Sequence, residues 1–527
     1  MKTRYISAMA ASVALMLGTV ACIDDNSNYG AGVDTLPAIK INGAVTDASG
    51  QLPVMNFNFG EDCVIDPKIS YQGQLPLEYA WYVSAVSDGV RGPQELMSTE
   101  PVFNHFFTEG GVYAVQLNVT DGLSGISQEY TVNINRTFER GLMALANDAD
   151  GKGNVTFIKE MTAEEIEQGM PDVIMEHSLQ RINPEINDDP VIGVYKLVAS
   201  WPVDYKRLAI STSSHCYFVE PNTFTAVSVI DYASIIPGFK AQYFYVISGG
   251  VRAYDPVMKR YITCDMNNMF GLEKSDMVGR GYDAVMGGSY ESWGSTNPLI
   301  YYVQFSPLAV WTEYYEYDEN YAVSYNWNST HDLSFNGKPL FQGHELVNCF
   351  VGEPIPGDWG LLDYPCYLIT RDTADDKYYT TRLINAEAHT AYGKMELAFS
   401  KEMSVNGATA LPTPLCQMAP SGTYHRTYYS NGNKVYMMQL VSDTFVLPET
   451  SQSCLSYGEG EEVTAMYIID DANELVVATY DNVSQRGSVY VYNVADVRTD
   501  NPGVAPVRSY RNCTGRVVKL FYKPSMG

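Results

Sequence analysis

Residues 463–492 read VTAMYII-DDAN-ELVVATY-DNVSQR-GSVYVY. The first, third and fifth segments are rich in Val, Ile, Tyr and Thr, the residue types that favour extended backbone. The segments between them carry Asp, Asn and Ser, which favour tight turns. The stretch therefore predicts three successive antiparallel strands: Val463–Ile469, Glu474–Tyr480 and Gly487–Tyr492.

The same succession of short strands and turn residues recurs upstream. Gly141–Asn147 and Gly153–Lys159 flank Asp148–Gly151, which predicts a hairpin. A second three-strand meander is predicted at Tyr243–Ile247, Val251–Tyr254 and Lys259–Ile262. Each blade of a β-propeller is a four-stranded meander, so we expect an all-β chain in which residues 137–527 form a propeller.

The number of blades follows from the length of this region. Removing 136 residues from 527 leaves 391, which at ~50 residues per blade is nearly eight blades. Thr162 and Glu165 form a capping-box pattern that predicts an inserted acidic helix. Because insertions consume length, seven blades are favoured, while six blades, eight blades and two stacked β-sandwiches stay open. A propeller hides its edge strands, so Gly141–Asn147 is expected to complete the sheet that holds Val517–Tyr522.

Residues 38–136 are predicted to form a separate β-sandwich. Leu77–Val83 alternates in polarity and carries Trp81, which suits a sandwich core. Glu129–Ile134 is the predicted return strand after Gly110–Asp121, and Asp121 is expected to cap the turn between them rather than to bind a ligand. The predicted core face of Gly110–Asp121 consists of Tyr113, Val115, Leu117 and Val119.

The N-terminus has the pattern of a secretion signal. Lys2 and Arg4 precede the apolar stretch Ile6–Leu17, and small residues then lead to Cys22. This run resembles a bacterial lipoprotein signal, which implies that residues 1–21 are removed and that Cys22 is lipidated. An ordinary signal peptide that is cut after Ala21 is the alternative.

The residues after Cys22 point to a tether at the cell surface. Asp24 and Asp25 resemble the acidic surface-export signal of Bacteroidota lipoproteins, and residues 22–37 are small and polar, as a flexible tether would be. The net charge of −27 becomes −29 once residues 1–21 are removed, since two basic residues leave and no acidic ones do. Such an acidic chain lacks the basic surface that nucleic-acid binding requires.

The motifs of common catalytic and metal sites are incomplete. His344-Glu345 lacks the second histidine of a zinc helix, and Gly279-Arg-Gly281 has neither the preceding buried strand nor the following helix of a dinucleotide loop. Asp148–Asn154 lacks the ligand spacing of a calcium loop and is better explained as a hairpin turn. The seven histidines stand apart, so no nucleophile and base can be nominated. We therefore expect no catalytic residue, metal or cofactor, although carboxylate pairs from different blades would leave no local motif.

The cysteines give little information about disulfide pairing. Besides Cys22 there are eight, and eight cysteines allow 105 full pairings. Cys216 and Cys366 precede apolar strand residues and are interpreted as core residues.

Aromatic residues form the main candidate binding surface. Rings with a polar tip suit half-exposed surfaces that stack on sugars or peptides. The alternative is that alternating tyrosines simply coat the solvent side of strands. The candidate ligand-binding residues are Trp293 in a glycine-flanked stretch, together with Trp311, Tyr314, Tyr315, Tyr317 and Trp327.

The run from Gly111 to Asp121 has the form G-x-Y-x-V-x-L-x-V-x-D, which resembles the PKD family of immunoglobulin-like domains. Together with Cys22, the two aspartates, the tether and the segment Arg140–Leu145, it resembles the PKD-like family lipoproteins of Bacteroidota. This resemblance implies an N-terminal PKD/Ig-like sandwich followed by the propeller, on the extracellular face of the outer membrane.

The same resemblance implies the partners. Members of the family accompany SusC/SusD pairs, so the expected partners are a SusC-like TonB-dependent barrel and a SusD-like lipoprotein. The expected function is an accessory, non-enzymatic role in nutrient uptake, through binding of oligosaccharides or oligopeptides or through docking on the transporter. A propeller glycoside hydrolase or lyase and an adhesin are the alternatives.

Overall fold

The computed structural model describes residues 37–41, 53–87, 89–107, 110–135, 138–167, 169–199, 205–247, 250–277, 279–292, 295–317, 323–353, 355–356, 362–388, 391–469 and 472–526. The predicted signal peptide, Cys22, Asp24 and Asp25 lie outside these residues, as does nearly all of the predicted tether. The described residues divide into two compact units. The first lies within Met1–Met55, Val64–His105 and Tyr113–Val132, and the second within Asn56–Cys63, Phe106–Val112 and Asn133–Gly527.

The strands before residue 136 lie mostly in the first unit. Strands β5, β9 and β10 are neighbours in one sheet, with β7 paired to β5, and β1 pairs with β4. These strands are β1 (Ile39–Ile41), β2 (Val54–Asn58), β3 (Asp62–Ile65), β4 (Ile69–Tyr71), β5 (Glu78–Ser87), β6 (Val90–Arg91), β7 (Glu95–Ser98), β8 (Phe103–Phe106), β9 (Gly111–Thr120) and β10 (Gly125–Asn135).

Trp81 is central to the core of the first unit. Its side chain is fully buried against Phe103 and Tyr130, with ring centroids 5.2 and 6.1 Å away. The indole Nε1 donates to the carbonyl of Glu100 at 2.9 Å, so the one polar atom of the ring is satisfied. On β9, Val115, Leu117 and Val119 are buried as predicted, while Tyr113 is half-buried.

Asp121 caps the turn between β9 and β10, as predicted. One carboxylate oxygen accepts the backbone N–H groups of Leu123 and Ser124 at 2.9 and 2.7 Å, and the other accepts the hydroxyl of Tyr71 at 2.6 Å. The Tyr71 hydrogen bond, followed by the backbone N–H groups, lowers the pKa of Asp121 to about 2.

The Asp121 contacts predict an order of two mutational effects. Asp121→Ala removes four accepted hydrogen bonds, including one from the Ser124 hydroxyl, and leaves their donors unpaired, whereas Tyr71→Phe removes one. We expect the loss in free energy of unfolding of the first unit to be larger for Asp121→Ala, as measured by denaturant titration. Equal losses in free energy of unfolding would show that the hydrogen bonds from the turn to Asp121 contribute nothing.

Residues 138–292 contain most of three sheets of the second unit, their insertions and the first strand of a fourth sheet. The helices are α1 (Ala163–Glu167) and α2 (Ser178–Ile182), with 3₁₀ turns at Tyr232–Ser234 and Ser275–Met277. The strands are β11 (Gly141–Asn147), β12 (Gly153–Lys159), β13 (Ile174–Met175), β14 (Val191–Ala199), β15 (Tyr205–Thr212), β16 (His215–Val219), β17 (Ala226–Asp231), β18 (Tyr243–Ile247), β19 (Gly250–Asp255), β20 (Arg260–Asp265), β21 (Phe270–Glu273) and β22 (Ala284–Ser292).

The rest of the chain continues in the same way, with one further 3₁₀ turn at Thr330–Asp332. Its strands are β23 (Ser295–Phe305), β24 (Leu308–Tyr317), β25 (Val323–Ser329), β26 (Ser334–Phe335), β27 (Lys338–Pro339), β28 (His344–Val351), β29 (Ile355–Pro356), β30 (Leu362–Asp363), β31 (Cys366–Asp372), β32 (Lys377–Ala388), β33 (Ala391–Met403), β34 (Ala419–Ser421), β35 (Arg426–Asn431), β36 (Lys434–Val441), β37 (Thr444–Val446), β38 (Leu455–Ser456), β39 (Glu461–Ile469), β40 (Glu474–Asp481), β41 (Arg486–Asn493), β42 (Arg508–Thr514) and β43 (Arg516–Lys523).

Antiparallel sheets of four consecutive strands are the repeating element of the second unit. Strands β14–β17, β18–β21 and β39–β42 each form such a sheet, and β34–β38 form a five-stranded one. Strands β22–β25 and the strands β28, β31, β32 and β33 form one eight-stranded sheet through the pairing of β24 with β33. The predicted meanders at residues 243–262 and 463–492 and the hairpin at residues 141–159 are confirmed.

The predicted pairing of the first and last strands of residues 137–527 is also confirmed. β43 pairs with β11 from Gly141 opposite Lys523 to Asn147 opposite Arg516. Gly515 is the one residue between β42 and β43, and a Cβ there would lie 2.5 Å from Asp148 Oδ1 and 2.6 Å from the carbonyl oxygen of Asn147. Only glycine therefore lets the chain pass between the two sheets at this point.

Edge strands of the sheets in the second unit contact one another. Strand β14 contacts β18, β18 contacts β22, β22 contacts β28, β34 contacts β39, β39 contacts β43, and β43 contacts β14. Four-stranded sheets repeat along the second unit, and the β11–β43 ladder pairs its first and last strands. This arrangement is a β-propeller-like, all-β fold.

Two further local predictions for the second unit are confirmed. Thr162 and Glu165 form the predicted capping box at α1, since each backbone N–H donates to the other's side chain. Cys216 and Cys366 are fully buried, as predicted for core residues. Within the described ranges, no helix is long and apolar enough to cross a membrane.

Candidate functional site

The structure describes part of the predicted aromatic surface. Trp293 lies outside the described residues. Tyr315 and Tyr317 belong to β24, but their side chains are not described. Trp311, Tyr314 and Trp327 are described in full, so these three decide what the surface looks like.

Trp311 and Tyr314 lie on opposite faces of β24, because successive residues of a strand alternate. Trp311 is opposite Tyr302 of β23, and Glu313 is opposite Trp327 of β25, so these four residues share one face. Tyr314 is on the other face, where the Lys394 ammonium lies 5.7 Å from its ring centroid. The structure therefore brings Trp311 and Trp327 together and separates Tyr314 from them.

The face of Trp311, Glu313 and Trp327, which we call the tryptophan face, packs on a tyrosine-rich core between two sheets. Tyr254 and Tyr261 stack at 4.2 Å with nearly parallel rings, and Trp327 contacts Tyr302 at 5.2 Å. The buried residues of this core, the tyrosine cluster, are Tyr245, Ile247, Tyr254, Tyr261, Met277, Tyr282, Ile300 and Tyr302.

Arg252 is a buried charged side chain beside this core, and it joins the two sheets. Its Nη1 donates to the Tyr302 hydroxyl at 3.1 Å and to Glu313 Oε1 at 3.2 Å. The Arg252 side chain is 6% exposed and that of Glu313 is 29% exposed. A buried cation is tolerated when it is paired and hydrogen-bonded, so Glu313 holds Arg252 while remaining accessible itself.

Two polar groups adjoin the rings of the tryptophan face. The Arg280 guanidinium lies 4.6 Å from the centroid of the Trp327 ring, a cation–π contact. The indole Nε1 of Trp311 is buried and has no hydrogen-bond partner among the described residues. An unpaired buried donor costs about 1–3 kcal/mol, so an acceptor that reached this N–H through a local opening of the face would be bound favourably.

Burial raises the pKa values of the tyrosines in the cluster. The pKa is raised to about 12 for Tyr245 and Tyr282, and well above its ordinary value for Tyr302, in each case chiefly because the phenolate would lose its hydration. These side chains are therefore neutral hydrogen-bonding groups at physiological pH.

These shifts predict alkaline unfolding of the second unit. Unfolded tyrosine ionises near 10, so the stabilisation from buried neutral tyrosines is complete below that pH and is lost as the pH rises from about 10 to 12. Buried Lys523, whose pKa burial lowers to about 8, acts in the opposite sense at lower pH. We expect tyrosinate absorbance and loss of circular dichroism to rise together above pH 10. Ionisation of all 40 tyrosines with the fold intact would contradict this.

The structure also brings a serine and a histidine together outside this region. Ser214 Oγ lies 2.6 Å from His215 Nδ1, and the Ser214 hydroxyl also bonds to the carboxylate of Asp189. A hydroxyl has one proton, so Ser214 cannot donate to the Asp189 carboxylate and to His215 Nδ1 at the same time. The Asp189 carboxylate competes with the histidine for that proton, so this geometry does not define a nucleophile and its base.

The weaker motifs lie in strands and turns. His344 begins β28, and β22 rather than a helix follows the Gly279–Gly281 segment. At Asp148–Gly151 the backbone N–H of Gly151 donates to the Asp148 carbonyl, a turn of the β11–β12 hairpin. No group of three or more His, Cys, Asp or Glu side chains that could hold a metal ion is found in the described part of the chain.

Sequence reasoning missed Arg252 and the tyrosine cluster. The cluster combines residues from β18 to β23, which are distant in sequence and carry no shared motif. The available signal was the pair of tyrosines at alternate positions in Tyr243–Ile247, which predicted a strand but not which side chains its faces would meet.

Neither a protein-family model nor a curated protein matches this sequence. Among solved structures, a quinoprotein alcohol dehydrogenase-like protein from Bacteroides thetaiotaomicron is 14% identical, with a TM-score of 0.44, and the match covers 93% of this chain and 100% of that one. Apo AztD from Citrobacter koseri is 10% identical, with a TM-score of 0.33, over 85% and 98% of the two chains. Similarity at this level says nothing about activity.

Proposed function

We propose that this chain is a lipoprotein of the outer-membrane surface, anchored through Cys22, that serves as an accessory component of a SusC/SusD-type nutrient importer. In this role it binds oligosaccharides or oligopeptides or docks on the transporter. The observation that carries the binding role is the tryptophan face: two half-buried indole rings, a partly exposed carboxylate and an indole N–H without a described acceptor. Rings of this kind stack on apolar ligand faces while polar neighbours orient the ligand.

The proposed architecture is a PKD-like sandwich followed by a seven-bladed propeller. Seven blades follow if β22–β25 and the group of β28, β31, β32 and β33 are counted as separate blades that share one continuous ladder. Two residues support the PKD-like domain. Trp81 is buried, as suits a sandwich core, and Asp121, the last residue of the run that carries the resemblance, caps the turn after β9.

The binding role predicts different effects for the two faces of β24. Trp311→Ala and Trp327→Ala should each weaken ligand binding about tenfold, which corresponds to about 1.4 kcal/mol. Tyr314→Ala, a substitution on the opposite face of the same strands, should leave affinity unchanged. The measurement is titration of the purified chain with a panel of oligosaccharides and oligopeptides, followed by intrinsic tryptophan fluorescence.

Two outcomes would contradict the binding role. One is equal weakening by all three substitutions, which would indicate a general structural effect. The other is the absence of a ligand in the panel together with turnover of a glycan, which would make the chain an enzyme.

A further inference from the structure

Cys216 and Cys264 belong to neighbouring four-stranded sheets and to one apolar core between them. Cys216 is on β16 and Cys264 is on β20, and both side chains are fully buried. The core that holds both thiols, which we call the β16–β20 core, also includes Phe218, Ile230, Tyr232, Val251 and Ile262.

Strand register places each cysteine beside a residue that contacts the other sheet. Cys216 is opposite Ile230 on β17, and Cys264 is opposite Gly271 on β21. Ile230 lies directly on the backbone of Gly271, since a Cβ added there would be 2.8 Å from Ile230 Cγ2. The partners of the two cysteines are thus in contact across the sheets, and the missing side chain at Gly271 lets the sheets approach closely.

The thiols also contact each other. Burial, followed by the hydrogen bond to the Cys264 thiol, raises the pKa of Cys216 well above its ordinary value. The hydroxyl of Tyr232 hydrogen-bonds to Ser211 Oγ at 2.8 Å and also to the Cys216 thiol. Each thiol has the other as a neighbour within the β16–β20 core.

We propose that Cys216 and Cys264 form a disulfide between the two sheets when the chain folds under oxidising conditions. The two S–H bonds break and one S–S bond forms between the cysteines. The two electrons and the two protons pass to a disulfide reagent such as glutathione disulfide, whose own S–S bond breaks to give two thiols. Because a buried thiol with a raised pKa reacts slowly, the bond forms during folding, before the sheets close over it.

Cys349 and Cys366 provide an internal control. They lie on adjacent strands β28 and β31, but Cys349 is opposite Leu368 and Cys366 is opposite Val351. Diagonal positions of this kind are about 7–8 Å apart, whereas disulfides need Cα separations of roughly 4.4–6.8 Å. This second pair is expected to remain reduced under the same conditions.

The test is oxidative refolding of the full chain. The reduced, denatured chain is refolded with glutathione disulfide, then alkylated in denaturant so that every free thiol is accessible, digested and mapped by mass spectrometry. We expect a peptide linked through Cys216 and Cys264, and alkylated Cys349 and Cys366. Alkylation of Cys216 and Cys264 in protein that has regained its native circular dichroism would overturn the proposal, and so would a link from Cys216 to another cysteine.

A stability comparison supports the mapping. Oxidised wild-type chain should unfold at a higher denaturant midpoint than reduced chain, because the bond constrains the unfolded state. The difference should disappear in Cys264→Ala and persist in Cys349→Ala. Its persistence in Cys264→Ala would count against the bond. Refolding in vitro needs no export, so the result is independent of the proposed surface location.

Discussion

Replacing Glu313 with leucine is expected to lower the free energy of unfolding of the second unit by about 3–5 kcal/mol. The substitution leaves the guanidinium of Arg252, which is 6% exposed, as a buried charge without its carboxylate. The remaining contacts of Arg252 are to neutral groups: the Tyr302 hydroxyl, Thr263 Oγ1 and Met277 Sδ. Denaturant unfolding followed by circular dichroism measures the loss.

A double variant separates the ion pair from simple loss of packing. Arg252→Met together with Glu313→Leu removes both charges and should recover most of the stability, since apolar replacement of a buried pair is often neutral. The pair Arg516–Glu462, whose side chains are 43% and 44% exposed, is the surface control. Glu462→Leu should cost only about 0–1 kcal/mol. Equal losses for Glu313→Leu and Glu462→Leu would contradict the importance of burial.

Truncation after Thr514 is expected to prevent the second unit from folding. The truncation removes β43, whose Val517 and Leu520 are buried, and leaves β11 without its ladder partner. An unpaired strand edge with apolar neighbours promotes aggregation. Size-exclusion chromatography and circular dichroism should show aggregated or unfolded protein.

The control is truncation after Lys523, which keeps the whole β11–β43 ladder and removes only the last residues, including the buried Met526. We expect this shorter deletion to give a folded monomer of reduced stability. A monomeric chain with native circular dichroism after truncation at Thr514 would contradict closure by the β11–β43 ladder.

The strand pattern of the fold could be predicted because its signals are local. Alternating apolar residues between Asp, Asn and Gly turns located β18–β20 and β39–β41, and the need to hide edges located the partner of Gly141–Asn147. The division of the N-terminal region could not be predicted in the same way. Asn56–Cys63 and Phe106–Val112 group with the second unit, although nothing in their composition distinguishes them from their neighbours.

The candidate site was predicted only in part, because it depends on contacts between distant strands. Aromatic density identified Trp311 and Trp327, and the two-residue period of a strand would have separated Tyr314 from them. Arg252 and Glu313 are 61 positions apart and become neighbours only when two sheets pack. Cys216 and Cys264 likewise come close because Gly271 has no side chain to keep their sheets apart. That contact between two sheets has no local signal in the sequence.

Affinity purification of the tagged full chain from outer membranes tests the proposed function most directly. The proposal predicts co-purification of a SusC-like TonB-dependent barrel and a SusD-like lipoprotein, and loss of both when Cys22→Ala removes the lipid anchor. Recovery of the wild-type chain from the outer membrane without either partner would contradict it.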